Sequence, residues 1–395
     1  MFKSLKRITY QVGDVAKARE WYCDILGLKP AFDSPFAVIF RVGDCSLSLV
    51  QGQPPERQSP ERYEIFWDVD DIDAAYKRLI DAGATPHTPV KSILNIRIAK
   101  VVDPFGNTLG ITSSDWDAKN RTVENHPSES ALTVTFCRAL ASIEPHEEIR
   151  GPDHLARLFL KDDAKKALAD EASRAWAVRQ LSTLYGGLIA RTAYIDTLFT
   201  EALKDNIPQI VFLGAGYDTR SCRFKDKIKH TRIFEVDAPS TQQRKWAILK
   251  ESGIVVPDAV TPIPANFKTD VVAEILRKAG YDERGKTLFI WEGVTYYLTL
   301  EAVKSTLRFI KEHSARESRV VFDYMTDKHA SVYAAEPFLF WMTAEPMKKM
   351  LVEYGIDIIE DIGADEKERR FLRLNDGTVA YKSLPDYRIL LGVKK

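Results

Sequence analysis

The stretch 210-IVFLGAGYDTRSCRF-224 decides how this chain is read. Ile210 to Leu213 form a short apolar run, the length of a buried strand, and they lead into Gly214-Ala215-Gly216. A glycine-rich turn after such a strand brings a ligand close to backbone N–H groups at the carboxyl edge of a sheet. The next apolar run, RIFEVDAPS, ends in Glu235 and Asp237, 19 and 21 residues after Gly216. A later one, TLFIWEGVTYYLT, places Glu292 and Gly293 at its end. A carboxylate at the end of a buried strand is costly unless it meets solvent, a cation or a hydrogen-bond donor.

Around that stretch the pattern alternates. Strands are expected near 209–213, 231–236, 260–264, 286–291 and 319–323, with helical segments between them. A long helical region, 131–205, precedes them. The order implies a doubly wound α/β sheet with a helical N-terminal cover. The third glycine of the dinucleotide fingerprint is replaced by Thr219. A pyrophosphate would want that tight glycine and a free helix N-terminus, whereas S-adenosylmethionine carries no phosphate. Asp237 can take ribose hydroxyls of either ligand class.

The first part of the chain reads differently. Residues 5–11 lead to a helix over 14–26 and strands at 36–42 and 46–51. Residues 63–69 lead to a helix over 72–82 and strands at 96–102 and 108–112. This is a β-α-β-β-β unit repeated at a period of about 58 residues. Asp14 and Asp71 stand where a side chain can cap each helix, and DPFGN at 103–107 is a turn. His87, in TPHTPV, is expected on a proline-bracketed surface loop. The polar run SSDWDAKNRTVENHPSES places a linker at 115–130, between an α+β domain of two such modules (1–114) and the α/β domain (131–395).

Composition removes several classes. Lys plus Arg and Asp plus Glu both number 56, so no net field favours nucleic acid or another polyanion. Cys23, Cys45, Cys137 and Cys222 are far apart and without CxxC spacing, which argues against a zinc knuckle or a disulfide framework and fits a reducing, cytoplasmic setting. No apolar run is long enough for a membrane span.

VGDVAKAREWYCDILGLKP, VDDIDAAYKRLIDAGA and VVDPFGNTLGI resemble the vicinal-oxygen-chelate superfamily of glyoxalases and bleomycin-resistance proteins over residues 1 to 115. That resemblance implies metal ligands at Arg7, Glu64 and Gly110. Only Glu64 can ligate, so the domain is expected to hold no metal and to pair subunits, as in a homodimer, or to bind a small molecule. GLIARTAYID, LGAGYDTRSCRF, FEVDAPSTQQRK and WEGVTYYLT resemble the leucine carboxyl methyltransferase-like family of class I S-adenosylmethionine (SAM)-dependent methyltransferases over residues 130 to 395. The likeness implies that Arg191 pairs with the SAM carboxylate, Gly214 and Gly216 give backbone access, Asp237 holds the ribose, and Glu292 lines the site. Asn266-Phe267 stand where the family has Asp-Leu against adenine. Lys268 and Tyr297 would orient a small-molecule acceptor for O-methylation. The bland readings are a surface salt bridge for Arg191, a local loop-holding pair for Asp218 and Arg220, and core packing for Tyr296 and Tyr297. The alternative function is a non-catalytic protein that sequesters a ligand in the N-terminal cup.

Overall fold

The computed structural model describes residues 7–43, 45–52, 65–93, 96–114, 129–265, 270–327 and 338–395. The chain divides into two compact units, Met1–Trp116 and Asp117–Lys395.

The N-terminal unit is built twice over. Its first module holds β1 (Arg7–Val12), α1 (Val15–Leu26), β2 (Phe32–Asp33), β3 (Ala37–Val42) and β4 (Cys45–Gln51). The second holds β5 (Phe66–Asp68), α2 (Ile72–Asp81), β6 (Thr85–Ile93), β7 (Ile96–Val102) and β8 (Thr108–Ser114). The sheet orders are β1-β4-β3-β2 and β5-β8-β7-β6, with the first pair in each parallel. The expected caps form: Asp14 accepts from the Lys17 N–H at 3.0 Å, and Asp71 from the N–H groups of Asp73 and Ala74 at 3.0 and 3.1 Å. The DPFGN turn is fastened by buried Asp103, which accepts from the N–H groups of Phe105 and Asn107 and from the Tyr22 hydroxyl. One expectation fails. TPHTPV is no loop but part of β6, an edge strand bulged around Thr88. Proline is tolerated there because no neighbour needs its missing N–H on the outer side. His87 is exposed on that strand.

In the C-terminal unit α3 (Glu129–Ala141), α4 (Asp162–Ala169) and the 34-residue α5 (Glu171–Lys204) come first; α3 begins inside the span expected to be linker. Then follow β9 (Gln209–Leu213), the short α6 (Arg220–Arg223), β10 (Arg232–Asp237), α7 (Pro239–Glu251), β11 (Val260–Pro264), α8 (Val272–Lys278), β12 (Thr287–Trp291), α9 (Leu300–Glu312) and β13 (Arg319–Met325). The chain ends with α10 (Ala344–Glu353), β14 (Ile356–Ile362), α11 (Ala364–Phe371) and β15 (Tyr387–Lys394).

These strands make one seven-stranded sheet, β11-β10-β9-β12-β13-β15-β14. β9 to β13 run parallel, and β15 is antiparallel to both β13 and β14. β9 is wholly buried and feeds both faces. Ile210 and Phe212 pack with Tyr194, Ile195 and Phe199 of α5, while Val211 and Leu213 join the opposite core with Phe234 and Phe289. Strand order reverses between β9 and β12, and the crevice above such a switch point is where open α/β sheets bind ligands. α5 carries Gly186 in mid-helix because a Cβ there would lie 2.4 Å from the Lys382 carbonyl oxygen. β14 and β15 have no counterpart among the expected strands.

Candidate cofactor site at the carboxyl edge of the large sheet

The turn after β9 requires its glycines for two different reasons. Gly214 has φ +84°, and a Cβ on it would lie 2.3 Å from Val294 Cγ2; Gly216 has φ +49° but room around it. Both Gly214 and Ala215 donate backbone N–H groups to the Val236 carbonyl, at 2.9 and 3.0 Å, so the turn is stitched to β10. The two acids ending β10 part company. Glu235 is buried and consumed internally, paired with Lys245 Nζ at 2.6 Å and accepting from the Ser221 hydroxyl at 2.6 Å. Asp237 is half-buried at the mouth and accepts from the N–H groups of Gly216 and Ala238 at 2.6 and 2.7 Å. Burial raises its carboxyl pKa, opposed by those two N–H donors. Each oxygen keeps acceptor capacity for a further donor.

Beside this turn lies a chain of buried charges. Arg191, on α5, is 1 % exposed, which removes its reading as a surface residue. Its Nη1 donates to Asp323 at 2.7 Å and to the Tyr387 hydroxyl at 2.9 Å, and its Nε lies 2.8 Å from Glu292. Glu292 also accepts from Arg220 at 2.7 Å. Arg220 bonds Asp196 at 2.7 Å and forms the expected local pair with Asp218, reinforced by its own backbone N–H. Arg223 grips Asp196 through two bonds, and Arg138 pairs with Asp153 at 3.2 Å while donating to the Tyr217 carbonyl at 2.7 Å. Burial opposes the charge on Arg191, but Tyr387, Glu292 and Asp323 outweigh it and hold the guanidinium above its usual pKa. Arg220 is raised in the same way, against burial, by Asp218, Glu292 and Asp196.

Among the described residues four guanidinium groups (Arg138, Arg191, Arg220, Arg223) interlace with five carboxylates (Asp153, Asp196, Asp218, Glu292, Asp323), Lys367 lies close to Asp323 and Arg191, and Asp237 adds another acid at the mouth.

Asp323 was not among the expected site residues. It lies inside β13, two residues before the strand's end, is fully buried, and accepts from the Gly293 N–H at 2.7 Å, so it fixes the turn after β12. Its signal lay in VVFDYM, a carboxylate inside an apolar run, a sign akin to the one that marks Asp237 and Glu292. Tyr387 had no such sign, because β15 reaches Asp323 only through the antiparallel pairing. After Gly293 a single 3-10 turn, Thr295–Tyr297, packs Tyr296 and Tyr297 against Phe338. Asn266, Phe267 and Lys268 lie outside the described residues.

In the N-terminal unit, Arg7 is exposed, and Glu64 lies outside the described residues. At Gly110 a Cβ would lie 2.5 Å from the Ile65 carbonyl oxygen and 2.8 Å from Phe66, so this position accepts no ligating side chain. Among the described residues no group of three His, Cys, Asp or Glu can hold a metal ion, and no helix is long and apolar enough to cross a membrane.

A switch-point crevice with a glycine turn, an acid at the end of the second strand and a helical cover defines a class I methyltransferase fold. The model of the leucine carboxyl methyltransferase family matches residues 131–311, and that of the Glyoxalase/Bleomycin resistance protein/Dioxygenase superfamily matches residues 4–111. FRAAL3718 of Frankia alni, named as a candidate S-adenosyl-L-methionine-dependent methyltransferase, is 34% identical over 209 residues, covering 52% of this chain and 71% of that protein. YktD of Bacillus subtilis, named in the same way, is 28% identical over 212 residues, 50% of this chain and 69% of that protein. The chain belongs to the leucine carboxyl methyltransferase family, with a glyoxalase-superfamily domain ahead of the methyltransferase domain.

Proposed function

We propose that the C-terminal unit is a SAM-dependent methyltransferase that methylates an oxygen of a small-molecule acceptor. The observation supporting this most is the pairing of the Gly214–Gly216 turn with Asp237 on the neighbouring strand, beside the switch point, where a bound ligand meets backbone and carboxylate together. When bound, SAM supplies an activated methyl group, whose carbon–sulfur bond breaks, with its electrons staying on sulfur, as a carbon–oxygen bond forms.

The chain's own residues have distinct tasks in this reading. Asp237 accepts from the ribose hydroxyls. Gly214 and Gly216 admit the methionine portion, and Glu292 borders it. Arg191 turns its guanidinium, beside Gly293, toward the methionine carboxylate, while Asp323 and Tyr387 hold its Nη1. Asn266 and Phe267 border adenine; Lys268 steers an anionic acceptor and Tyr297 orients it. A carboxylate acceptor is already ionised at neutral pH and needs no general base. The N-terminal unit serves pairing of two copies or ligand binding.

Release of S-adenosylhomocysteine (SAH) from SAM in the presence of carboxylate and phenol acceptors tests the proposal. Transfer to a carboxylate yields a methyl ester that base releases as methanol, and transfer to a phenol yields a base-stable ether. Lys268→Ala is expected to raise the acceptor KM and leave SAM affinity unchanged. Methyl transfer to nitrogen or sulfur acceptors alone would exclude the oxygen reading.

A further inference from the structure

We infer that Lys367 is a positioning residue of the cofactor site: acting through Tyr387, it sets the place of Arg191 and of the Glu292–Gly293 edge. The inference rests on the methyltransferase reading above and adds to it a residue that touches no ligand. Lys367 lies on α11, which packs on α5, and is fully buried. Its Nζ donates to the Tyr387 carbonyl and stands 4.3 Å from the centre of the Tyr387 ring. A buried amine is costly to place, so its use on one tyrosine points to what that tyrosine holds. The adjacent Glu368, also buried, accepts from the Ser383 N–H at 2.9 Å and pairs with Lys382 at 2.8 Å. Two consecutive residues of α11 thus grip both ends of the segment that leads into β15.

α5 receives that segment at Gly186-Gly187. A Cβ at Gly187 would lie 3.3 Å from Ser383 Oγ and 3.4 Å from Tyr387 Cδ1, so the tyrosine ring rests on bare helix backbone. Residues four apart share a helix face, and Arg191 is four beyond Gly187. A ring lying along that face brings its hydroxyl to Arg191 Nη1, which donates to it at 2.9 Å. The same hydroxyl donates to Asp323.

Asp323 passes the constraint on. One carboxylate oxygen accepts from Arg191 Nη1 at 2.7 Å, the other from the Gly293 N–H at 2.7 Å, and its backbone carbonyl accepts from the Thr295 hydroxyl. Arg191 closes the circuit through Glu292, 2.8 Å from its Nε. α5, β13, β15 and the turn after β12 are thereby joined at one tyrosine hydroxyl, and Lys367 fixes the ring that carries it. In the reading above this edge faces the methionine portion of the cofactor, whereas the nucleoside meets Asp237. Loss of Lys367 is therefore expected to act on one end of the ligand only.

Calorimetric titration of the full chain with SAH and with 5′-methylthioadenosine, which lacks the amino-acid end, tests this. Wild type is compared with Lys367→Met, Tyr387→Phe and the double variant, each first shown to melt cooperatively. Lys367→Met keeps the side-chain length, and Tyr387→Phe keeps the ring. Each is expected to weaken SAH binding by roughly 3–10-fold, the size of an effect carried along a packed network, with methylthioadenosine unchanged. The double variant should lose no more than Tyr387→Phe alone. Lys367→Gln, which keeps a shorter donor, should lose less, and it carries the comparison if Lys367→Met does not fold. A merely structural lysine would weaken both ligands alike or add its loss to that of Tyr387→Phe; either result overturns the inference, as does a Lys367→Met chain that binds SAH like wild type. If methylthioadenosine binds too weakly to titrate, the double-variant comparison decides alone. A wild-type chain that binds no SAH would instead remove the methyltransferase reading, and this inference with it.

Discussion

Gly110, in the N-terminal unit, occupies a position where the superfamily resemblance implies a ligating carboxylate, and backbone at 2.5 Å leaves no space for one. In the C-terminal unit two of the three positions where the resemblance implies carboxylates hold them, Asn266 replacing the third, and both are engaged: Asp237 by two backbone N–H groups, Glu292 by two arginines. The two units therefore keep their folds for different reasons. The first retains caps, turn and packing, while two of its three implied ligand positions, Arg7 and Gly110, hold residues that cannot ligate a metal. The second maintains buried charges that contribute little to stability by themselves, and their arrangement is intelligible as support for a ligand.

The sharpest way to break this contrast is at the charge chain. Arg220→Ala leaves Asp196, Asp218 and Glu292 short of a partner and should cost about 3–5 kcal/mol, read by chemical denaturation. Arg220→Lys, with fewer donors, should recover only part. A loss under about 1 kcal/mol would mean the network is solvated and not a support. Next comes the turn. Gly214→Ala meets both a positive φ and Val294, and should cost about 1–3 kcal/mol with loss of SAH binding. Gly216→Ala meets only the φ and should cost less.

On the N-terminal side, Gly110→Glu is expected to lower the melting temperature without creating manganese or cobalt binding by calorimetry. Gain of stoichiometric metal would show that the site was lost by one substitution and not by packing.

A smaller effect concerns pH. Lys367 is fully buried beneath Tyr387 and donates to its carbonyl; burial lowers its pKa to about 7. The unfolded chain binds that proton up to the ordinary lysine pKa, so between pH 7 and about 10 the unfolded state holds more protons and stability rises with pH. The contribution is lost as pH falls toward 7. Lys367→Met should flatten the rise in melting temperature between pH 7 and 9.5. The smallest change, Asp71→Ala, removes an N-cap and should cost about 1 kcal/mol.

Much of this was legible in residue order. The parallel strands showed because each is an apolar run bounded by turn signals, and Asp14 and Asp71 showed because a cap sits at a fixed place before its helix. Three things were not legible. β6 carries Pro86 and Pro89 and reads as loop until its place at a sheet edge is known. The Arg191–Asp323–Tyr387 group joins residues 132 and 196 positions apart, a distance that no local pattern encodes. Glu235 and Asp237 look alike in sequence, and only Lys245 and Ser221, approaching from α7 and α6, separate the structural acid from the one at the mouth.

Asp237 and the Gly214–Gly216 turn are proposed to form the SAM site. Calorimetric titration of the full chain with SAH, beside Asp237→Asn and Asp237→Ala checked for unchanged melting, tests it most directly. Saturable one-to-one binding is expected, weakened in both variants by roughly tenfold or more, the worth of a hydrogen bond to a charged group. A folded wild-type chain that binds no SAH, or variants that bind it as well as wild type, would contradict it.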